Sequence, residues 1–465
     1  MYIRSTIFIG GQWVPSTSSE AVEVVNSASG NVVGVVPSCT VDDVDAAVAA
    51  ARAAFASWST TANSRRAALF GRLAALVDKN ADELAELVSA EMSAPLDFAL
   101  AEHVGTPKAM IDSFANALAH VETEVRIGNS RITREPIGVV AAITPWNYPL
   151  YQLVAKAVPA VAAGCTVVVK PSELAPLSTY RFTELLAEAG LPAGVFNLVP
   201  GRGSVIGEAL ATHPDVDMVS FTGSTQVGRR VAAAAASTIK RVALELGGKS
   251  ASVILPGGDL SVAVPYSIEY GMANAGQSCS ASTRLIVHRD SLGEVEQLAT
   301  AAAEALESSL GPAVSTHQFE QVQRYIRTGI DEGARLIAGG LGNPDGRSGN
   351  FNRATVFTDV TPRMTVAQEE IFGPVVVIQS YQTVDEALAI ANDSLFGLHG
   401  GVWASTDEEA LAFARRMRTG QVDVNGGPFN VDAPFGGFKQ SGIGRELGPL
   451  GLEEFYETKA IQMPA

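Results

Sequence analysis

A cysteine in a polar stretch is the first candidate for chemistry in this chain. Cys279 lies in the sequence Gly276-Gln277-Ser278-Cys279-Ser280, flanked by serines on a backbone that glycine allows to bend. The thiolate is the reactive form of cysteine, and it needs a polar setting to exist near neutral pH. Two interpretations are open, a nucleophile that faces a cleft and a small residue of the buried core.

Two further polar residues follow predicted strands. Asn147 lies in a turn bounded by prolines, and its amide N–H, together with a backbone N–H, can stabilise an oxyanion. Alternatively, Asn147 satisfies only its own turn. Glu245 lies between two leucines at a strand end, where a desolvated carboxylate has a raised pKa and becomes a better proton acceptor. The alternative for Glu245 is an ion pair at the edge of a sheet.

Two segments have the residue types that hold a nucleotide. Lys170 and Glu173 follow a buried strand, where an acid can bind the ribose hydroxyls and a lysine can reach the same sugar or a phosphate. A solvated surface pair is the alternative. Gly223 and Ser224 form a glycine turn and a helix cap after another strand, and the N–H groups of a helix start bind phosphate. This segment is not the standard G-x-G-x-x-G fingerprint.

A third segment, Glu369-Glu370-Ile371-Phe372-Gly373-Pro374, places paired acids before an aromatic turn. One acid could hold a ribose while Phe372 packs beside a flat ring. The other interpretation is a solvated turn.

The elements that must position these residues are short apolar strands alternating with helices. This alternation predicts a parallel sheet covered on both faces, with ligands at the carboxyl ends of its strands. The first series has predicted strands at 139–143, 166–169, 195–198, 218–221 and 241–244, with helices at 151–162, 177–189, 204–211 and 225–236. The second has strands near 252–255, 284–288, 336–338, 375–379, 400–403 and 421–424, with an irregular loop at 339–353.

The remaining elements are hairpins, helices and an extended arm. The pattern predicts short hairpins over 7–36 and helices over 41–58, 64–91 and 101–121. Residues 122–136 read as two polar strands around a Gly-Asn-Ser turn, and the strand-like tail at 452–461 could pair with them. Because a long exposed hairpin has unpaired edges, we interpret it as an oligomerisation arm.

Composition narrows the class of protein. The 465 residues carry a net charge of −16, which argues against nucleic acid and anionic membranes as partners. Three scattered cysteines do not form a disulfide framework and favour a cytoplasmic, reducing location. Six histidines show no metal-like pairing, and no 20-residue apolar run or signal peptide is evident, so we expect neither a metal nor a membrane span.

Taken together, the segments resemble the aldehyde dehydrogenase superfamily over nearly the whole chain. They occur in that family's order: the Asn147 turn, the Lys170/Glu173 pair, Phe-Thr-Gly-Ser at 221–224, Glu-Leu-Gly-Gly-Lys at 245–249, Gly-Gln-x-Cys at 276–279, Glu-Ile-Phe-Gly-Pro at 370–374 and Pro-Phe-Gly-Gly at 434–437. The resemblance implies an α/β fold of two doubly wound parallel-sheet domains, one Rossmann-like for the cofactor and one catalytic, with a small β oligomerisation arm. The expected cofactor-binding domain covers 1–121 and 139–246, the catalytic domain 247–440, and the arm 122–138 and 441–465.

The resemblance also implies a role for each residue. Cys279 is then the nucleophile, Asn147 and the Cys279 backbone N–H stabilise the oxyanion, and Glu245 is the general base. Lys156 and Glu446 are expected to relay protons to Glu245. The residues expected to bind the cofactor are Thr144, Trp146, Lys170, Glu173, Gly223, Ser224, Leu246, Glu370 and Phe372. Tyr148, Phe429 and Phe435 suggest an apolar tunnel for an aromatic or medium-chain aldehyde, although all three could equally belong to the core.

The implied reaction is the oxidation of an aldehyde to a carboxylic acid with NAD(P)+, through a hemithioacetal and a thioester on Cys279. Glu173 favours NAD+ because a carboxylate repels the 2′-phosphate of NADP+, although Lys170 could tolerate it. A CoA-acylating semialdehyde dehydrogenase is the alternative enzyme; relatives of that type generally lack the carboxylate that Glu245 supplies. An inactive scaffold is a further alternative, and a homodimer or homotetramer is expected.

Overall fold

The computed structural model describes residues 1–122 and 124–464. The strands in these residues are β1 (Tyr2–Ile3), β2 (Thr6–Ile9), β3 (Gln12–Pro15), β4 (Ala21–Val25), β5 (Val32–Pro37), β6 (Glu124–Ile127), β7 (Ser130–Pro136), β8 (Val139–Ile143), β9 (Thr166–Lys170), β10 (Phe196–Leu198), β11 (Met218–Thr222), β12 (Arg241–Glu245), β13 (Ala251–Ile254), β14 (Arg284–His288), β15 (Arg335–Ala338), β16 (Thr355–Thr358), β17 (Val375–Tyr381), β18 (Gly400–Trp403), β19 (Asp423–Val424), β20 (Gly442–Ile443) and β21 (Tyr456–Gln462).

The α-helices of the same residues are α1 (Val41–Trp58), α2 (Asn63–Lys79), α3 (Ala81–Met92), α4 (Leu96–Phe98), α5 (Thr106–Ala117), α6 (Pro149–Ala163), α7 (Leu177–Glu188), α8 (Glu208–Thr212), α9 (Thr225–Ala235), α10 (Leu260–Met272), α11 (Leu292–Glu307), α12 (Thr316–Asp331), α13 (Thr365–Gln368), α14 (Val384–Asn392), α15 (Asp407–Ala414) and α16 (Gly448–Glu453). Residues 99–105 and 203–207 form π-helical segments, and residues 236–238, 273–276, 289–291 and 439–441 form 3₁₀ turns.

The first large sheet has eight strands in the order β20-β12-β11-β8-β9-β10-β2-β3. Its five central strands are parallel, and β20, β2 and β3 join antiparallel at the edges. Every residue of β8, β9 and β11 is buried, as expected for continuous apolar strands with helices on both faces. One core cluster holds α6 and α7 and the other holds α1, so the helices cover both faces as predicted.

The second large sheet has seven strands in the order β15-β16-β17-β14-β13-β18-β19. Only β15 runs antiparallel to its neighbour. The strand β16 was missed in the sequence because its four residues follow directly on the glycine-rich loop 339–353. With this addition, the predicted fold class of two mostly parallel sheets is confirmed.

A three-stranded sheet, β21-β7-β6, forms the predicted arm. The tail strand β21 pairs antiparallel with β7 from Tyr456 opposite Pro136 to Gln462 opposite Ser130, which confirms the predicted pairing. The predicted start of the tail segment at 441 needs correction, because β20 pairs with β12 in the eight-stranded sheet and only β21 joins the arm.

Three predicted helices differ in the structure, and the one expected over 204–211 is a π-helical segment followed by α8. The single helix expected over 64–91 is divided at Asn80, whose side-chain N–H donates to the Leu76 carbonyl at 2.7 Å. Asparagine competes for backbone groups in this way and so ends helices, although the leucine spacing continues across the break. The helix expected over 101–121 is a π-helical segment followed by α5. In the described residues, no helix has the length and apolar character to cross a membrane.

Candidate active site

The carboxyl ends of the parallel strands bring the predicted polar segments to one edge of the eight-stranded sheet. Asn147 follows β8, Lys170 ends β9, Ser224 follows β11 and Glu245 ends β12. The parallel register pairs Ile143 with Lys170 and with Phe221, so these strand ends are adjacent. Chain topology therefore gathers residues that are up to a hundred positions apart.

Cys279 reaches this edge from the second half of the chain, on a loop with an unusual backbone. Asn274, Ala275 and Gly276 have φ values of 53°, 57° and 71°, and left-handed backbone is costly for residues other than glycine. A Cβ on Gly276 would lie 2.1 Å from the backbone of Gly373, so only glycine fits there. Close packing against the 370–374 segment therefore fixes the cysteine loop.

Asn147 is bound directly to that loop. Its Nδ2 donates to the Gln277 carbonyl at 3.0 Å, and the Asn274 amide donates to the Asn147 carbonyl at 2.8 Å. The side chain is buried, at 3% exposure. An amide NH₂ has two donors, so one N–H of Asn147 remains for an oxyanion beside Cys279. The alternative in which Asn147 serves only its own turn is excluded.

Glu245 lies close to the same loop. A Cβ on Gly248, three residues further along, would lie 2.3 Å from the Cys279 carbonyl oxygen. Burial raises the pKa of Glu245 well above its ordinary value, and the negative charge of Glu446 adds to the rise. Oxygen Oε2 of Glu245 is buried without a hydrogen-bond partner in the described residues. Burial therefore favours the protonated form of this carboxyl group more than water would.

The Cys279 side chain is half-buried. Burial, together with the negative charges of Glu245, Glu370 and Glu446, raises the pKa of its thiol to about 12. In this arrangement the sulfur carries its proton at neutral pH. Neutralising the nearby carboxylates or adding a positive charge would therefore favour the reactive thiolate.

Lys156 and Glu446 form a buried ion pair behind Glu245. The distance from Lys156 Nζ to Glu446 Oε1 is 2.6 Å, and the two side chains are 0% and 6% exposed. The ammonium group also donates to Thr222 Oγ1 at 2.6 Å and to Gln152 Oε1 at 3.1 Å. All three ammonium protons therefore have acceptors, which is the condition for burying such a pair.

The predicted ribose-binding pair lies at an open cleft. Lys170 is buried and donates to the Pro171 carbonyl at 2.7 Å, with Glu173 Oε2 at 3.4 Å. Burial lowers the pKa of Lys170, so the alternative of a solvated lysine is wrong. Glu173 and Arg202 line a cavity of about 530 Å³. The cavity provides room for a nucleoside beside Glu173.

Gly223 and Ser224 form the turn at which helix α9 begins. Ser224 caps α9, and its Oγ accepts from the Val227 N–H at 3.3 Å. A Cβ on Gly223 would lie 2.5 Å from the Phe221 ring. Leu246 is buried, and Gly228 of α9 packs against it so closely that a Cβ would lie 2.5 Å away. The N-terminus of α9 therefore stays open beside the strand end.

The 370–374 segment joins the cofactor residues to the cysteine loop. Glu370 Oε1 accepts from the Gly248 N–H at 3.0 Å, and burial raises the pKa of Glu370 to about 7. The ring of Phe372 meets Trp146 edge-on at 5.5 Å. Thr144, at the other end of the Trp146 turn, donates its N–H to the Lys170 carbonyl at 3.0 Å. The structure thus brings all nine residues predicted to bind the cofactor to one region.

The three predicted substrate residues have different surroundings. Tyr148 is half-buried, and its ring stacks on His103 at 4.7 Å. Phe429 is 41% exposed and meets the buried Phe435 edge-on at 6.2 Å. Phe435 exchanges two backbone hydrogen bonds with Glu446 and therefore lies next to the Lys156–Glu446 pair.

The sequence missed several supporting residues. Gln277 holds the cysteine loop by accepting from the Val314 N–H at 2.9 Å and donating to the Asn274 and Pro312 carbonyls. Ser441, fully buried, donates to the Gly247 carbonyl at 2.6 Å. The Gly-Gln-x-Cys spacing could have indicated Gln277, whereas no sequence signal marks Ser441.

A comparison with known proteins decides the family. The model of the aldehyde dehydrogenase family matches residues 13–461. The chain belongs to the aldehyde dehydrogenase family. The resemblance and the enzyme class predicted from the sequence, an NAD(P)+-dependent aldehyde dehydrogenase, are therefore confirmed.

Individual aldehyde dehydrogenases match over nearly their full length. A 3-succinoylsemialdehyde-pyridine dehydrogenase of Pseudomonas sp is 46% identical over 98% of this chain and 97% of the relative. Betaine aldehyde dehydrogenase of Bacillus subtilis is 37% identical over 99% and 97%. A Pseudomonas syringae aldehyde dehydrogenase C mutant, solved with NAD+ and octanal, is 48% identical with a TM-score of 0.98 over 99% and 97%. A Mycobacterium tuberculosis aldehyde dehydrogenase solved with NAD+ is 42% identical with a TM-score of 0.97 over 100% and 99%.

Proposed function

We propose that this aldehyde dehydrogenase oxidises an uncharged aldehyde to its carboxylic acid with NAD+, through a thioester on Cys279. The observation that carries the proposal is the meeting of two strand-end residues with the cysteine loop. Asn147 is hydrogen-bonded to Gln277, and the Glu245 segment packs on the Cys279 backbone. Nucleophile, oxyanion donor and proton acceptor are then within one site, as covalent catalysis requires.

The residues around the open cleft fit NAD+. Glu173 and Lys170 suit the adenosine ribose, the start of α9 suits the pyrophosphate, and Glu370 with Phe372 suits the nicotinamide ribose and ring. Bound there, NAD+ would supply the hydride acceptor. NAD+ is preferred to NADP+ because the Glu173 carboxylate would repel a 2′-phosphate, and the similar structures that contain NAD+ support this preference.

The chain's own groups act in order. The half-buried Cys279 thiol gives its proton to solvent water, and the sulfur then attacks the aldehyde carbon. The free N–H of Asn147 and the Cys279 backbone N–H stabilise the resulting oxyanion. Losing one such donor typically costs about 3–4 kcal/mol in the transition state. After hydride leaves, Glu245 takes a proton from the water that hydrolyses the thioester.

Glu245 acts as a base only in its unprotonated form, so any proton that it holds must first be removed. Lys156 and Glu446 lie in electrostatic contact with it, since the charge of Glu446 raises the pKa of Glu245 and that of Lys156 lowers it. We assign the pair to the removal of that proton. A base with a raised pKa accepts a proton from water more readily, which favours hydrolysis over transfer of the acyl group to CoA.

The test of this proposal replaces one cysteine at a time with alanine. Cys279→Ala should abolish NADH formation from octanal, an aldehyde found in a similar structure, while NAD+ binding measured by calorimetry persists. Cys165→Ala is the matched control. Cys165 is buried against the Phe455 carbonyl, so this variant should keep its activity. Acid formation by Cys279→Ala would refute the proposal, and a CoA thioester product would support the CoA-acylating alternative.

The arm supports a homo-oligomer, either a homodimer or a homotetramer. All four residues of β6 are exposed, and Ile127 is 65% exposed on this edge strand. Exposed apolar edge strands pair with partners. Ile127→Asp should shift the sedimentation coefficient toward a monomer, whereas Ile239→Asp, at a 92% exposed position elsewhere, should not. Identical sedimentation of both variants and the parent would refute the arm's role.

The cytoplasm is the proposed location. Three cysteines without a disulfide, one of them the nucleophile, need a reducing compartment. Cell fractionation with antibody detection tests this location, and recovery from an oxidising compartment would refute it.

A further inference from the structure

Three hydroxyl groups lie beside the proposed nucleophile and have no part in the mechanism above. Ser278 and Ser280 flank Cys279 in the chain, and their Oγ atoms are 3.3 Å apart. The Tyr270 hydroxyl donates to Ser280 Oγ at 3.3 Å. We call Ser278, Ser280 and Tyr270 the hydroxyl cluster. Its members are half-buried, as Cys279 is, and the Tyr270 hydroxyl lies within electrostatic reach of the Cys279 sulfur.

The hydroxyl cluster has a surplus donor. Each hydroxyl group has one proton to donate and two lone pairs that accept. Three protons serve two hydrogen bonds within the cluster, whichever serine donates to the other. At least one proton therefore remains for a bound molecule.

The cluster is also held in place. The Tyr270 ring stacks on Tyr266 at 6.1 Å, with the planes 7° apart, and lies 5.3 Å from the His399 ring. His399 in turn is bound through Nε2 to Asp423 Oδ2 at 2.8 Å. Because the tyrosine ring is packed on both sides, its hydroxyl needs no ordering when a substrate arrives.

The charges near the sulfur restrict which acceptor on a substrate can bind the unused hydroxyl proton of the cluster. The charged groups that act most strongly on the Cys279 thiol are the carboxylates of Glu245, Glu370 and Glu446. Lys156 is already paired with Glu446. Among the described residues, the charged groups that act most strongly on the sulfur include no cation, so an anionic substrate would meet mainly carboxylates there. The acceptor should therefore be uncharged.

We propose that the hydroxyl cluster selects aldehydes that carry an uncharged hydrogen-bond acceptor, such as a ketone oxygen, within about four bonds of the aldehyde carbon. The short distance is proposed because both serines are direct chain neighbours of Cys279 and the Tyr270 hydroxyl lies within electrostatic reach of its sulfur. An alkyl chain at this position would leave a desolvated donor unpaired. This inference rests on the proposed function, because it assumes that the aldehyde carbon binds at Cys279.

The test compares two aldehydes of equal chain length, 4-oxopentanal and pentanal, by steady-state kcat/KM. The parent enzyme should favour 4-oxopentanal about 3- to 10-fold, the range of one neutral hydrogen bond. Tyr270→Phe and Ser280→Ala should each lower that ratio by about 3-fold or more, through KM for 4-oxopentanal. Tyr266→Phe is the matched control and should leave the ratio unchanged, because its ring stacks on Tyr270 but its hydroxyl is outside the cluster.

The outcomes separate the inference from the function it rests on. Oxidation of both aldehydes with a ratio that neither variant changes would overturn the selection proposal alone. An equal loss for both aldehydes would assign the cluster a structural role and would overturn it as well. Succinic semialdehyde, the anionic probe, should have a lower kcat/KM than pentanal, and the reverse order would contradict the charge argument. Oxidation of no aldehyde by the parent enzyme would refute the proposed function itself.

Discussion

The buried pair of Lys156 and Glu446 allows stability and catalysis to be separated. Lys156→Met removes an ammonium group that donates to Glu446, Thr222 and Gln152. Glu446 would then be a buried charge without its partner, and breaking such a pair costs about 3–5 kcal/mol of unfolding free energy. A urea unfolding curve followed by fluorescence measures this loss.

A second substitution tests the cause of that loss. In the double variant Lys156→Met with Glu446→Leu, both charges are absent, and only the hydrogen bonds to Thr222 and Gln152 are lost, at about 1 kcal/mol each. The double variant should therefore be more stable than the single one. Both variants should have a kcat at least about tenfold below that of the parent enzyme, because the groups that remove the proton from Glu245 are absent.

Two results would refute this reasoning. Lys156→Met with the unfolding free energy of the parent would show that the pair is not a buried ion pair in solution. Full turnover in the double variant would show that Lys156 and Glu446 act only on stability and take no part in proton removal.

Three further predictions concern single groups. Asn147→Ala should lower kcat by about 10²–10³, measured in stopped flow as a slower burst of NADH; an unchanged burst would exclude Asn147 as an oxyanion donor. With the pKa of Cys279 raised to about 12, alkylation of Cys279 by iodoacetamide without cofactor should speed up about tenfold per pH unit between pH 7 and 10, and a plateau near pH 8 would contradict this. Burial lowers the pKa of His103 to about 3, below its unfolded value of about 6.5, so the unfolded chain takes up a proton first as the pH falls. Protonation of His103 in the unfolded chain should therefore lower the unfolding free energy by about 1–2 kcal/mol between pH 6.5 and 5. His103→Leu should flatten the dependence of the unfolding free energy on pH in that range.

The sequence predicted the parallel sheets well because their strands are short apolar runs. Arg284–His288 and Gly400–Trp403 have the predicted bounds. The helix break at Asn80 could not be predicted, since the leucine spacing continues on both sides of it. Strand β16 was missed because four residues after a glycine-rich loop carry too little pattern.

The site was predictable as a set of residues and not as a set of contacts. Each motif lies at a strand end or a turn, where active-site residues collect, so residue type and position were informative. The bond from Asn147 to Gln277 spans 130 residues, and the bond from Lys156 to Glu446 spans 290. Such contacts follow from the order of strands in the sheet, which the sequence does not reveal.

The central claim is that the substrate becomes bonded to the sulfur of Cys279 and is released by Glu245. Mass spectrometry of Glu245→Gln, quenched after mixing with octanal and NAD+, tests it most directly. The account predicts one equivalent of NADH and an octanoyl group on the peptide that contains Cys279. One equivalent of NADH with that peptide unmodified, or with the acyl group on another residue, would contradict it.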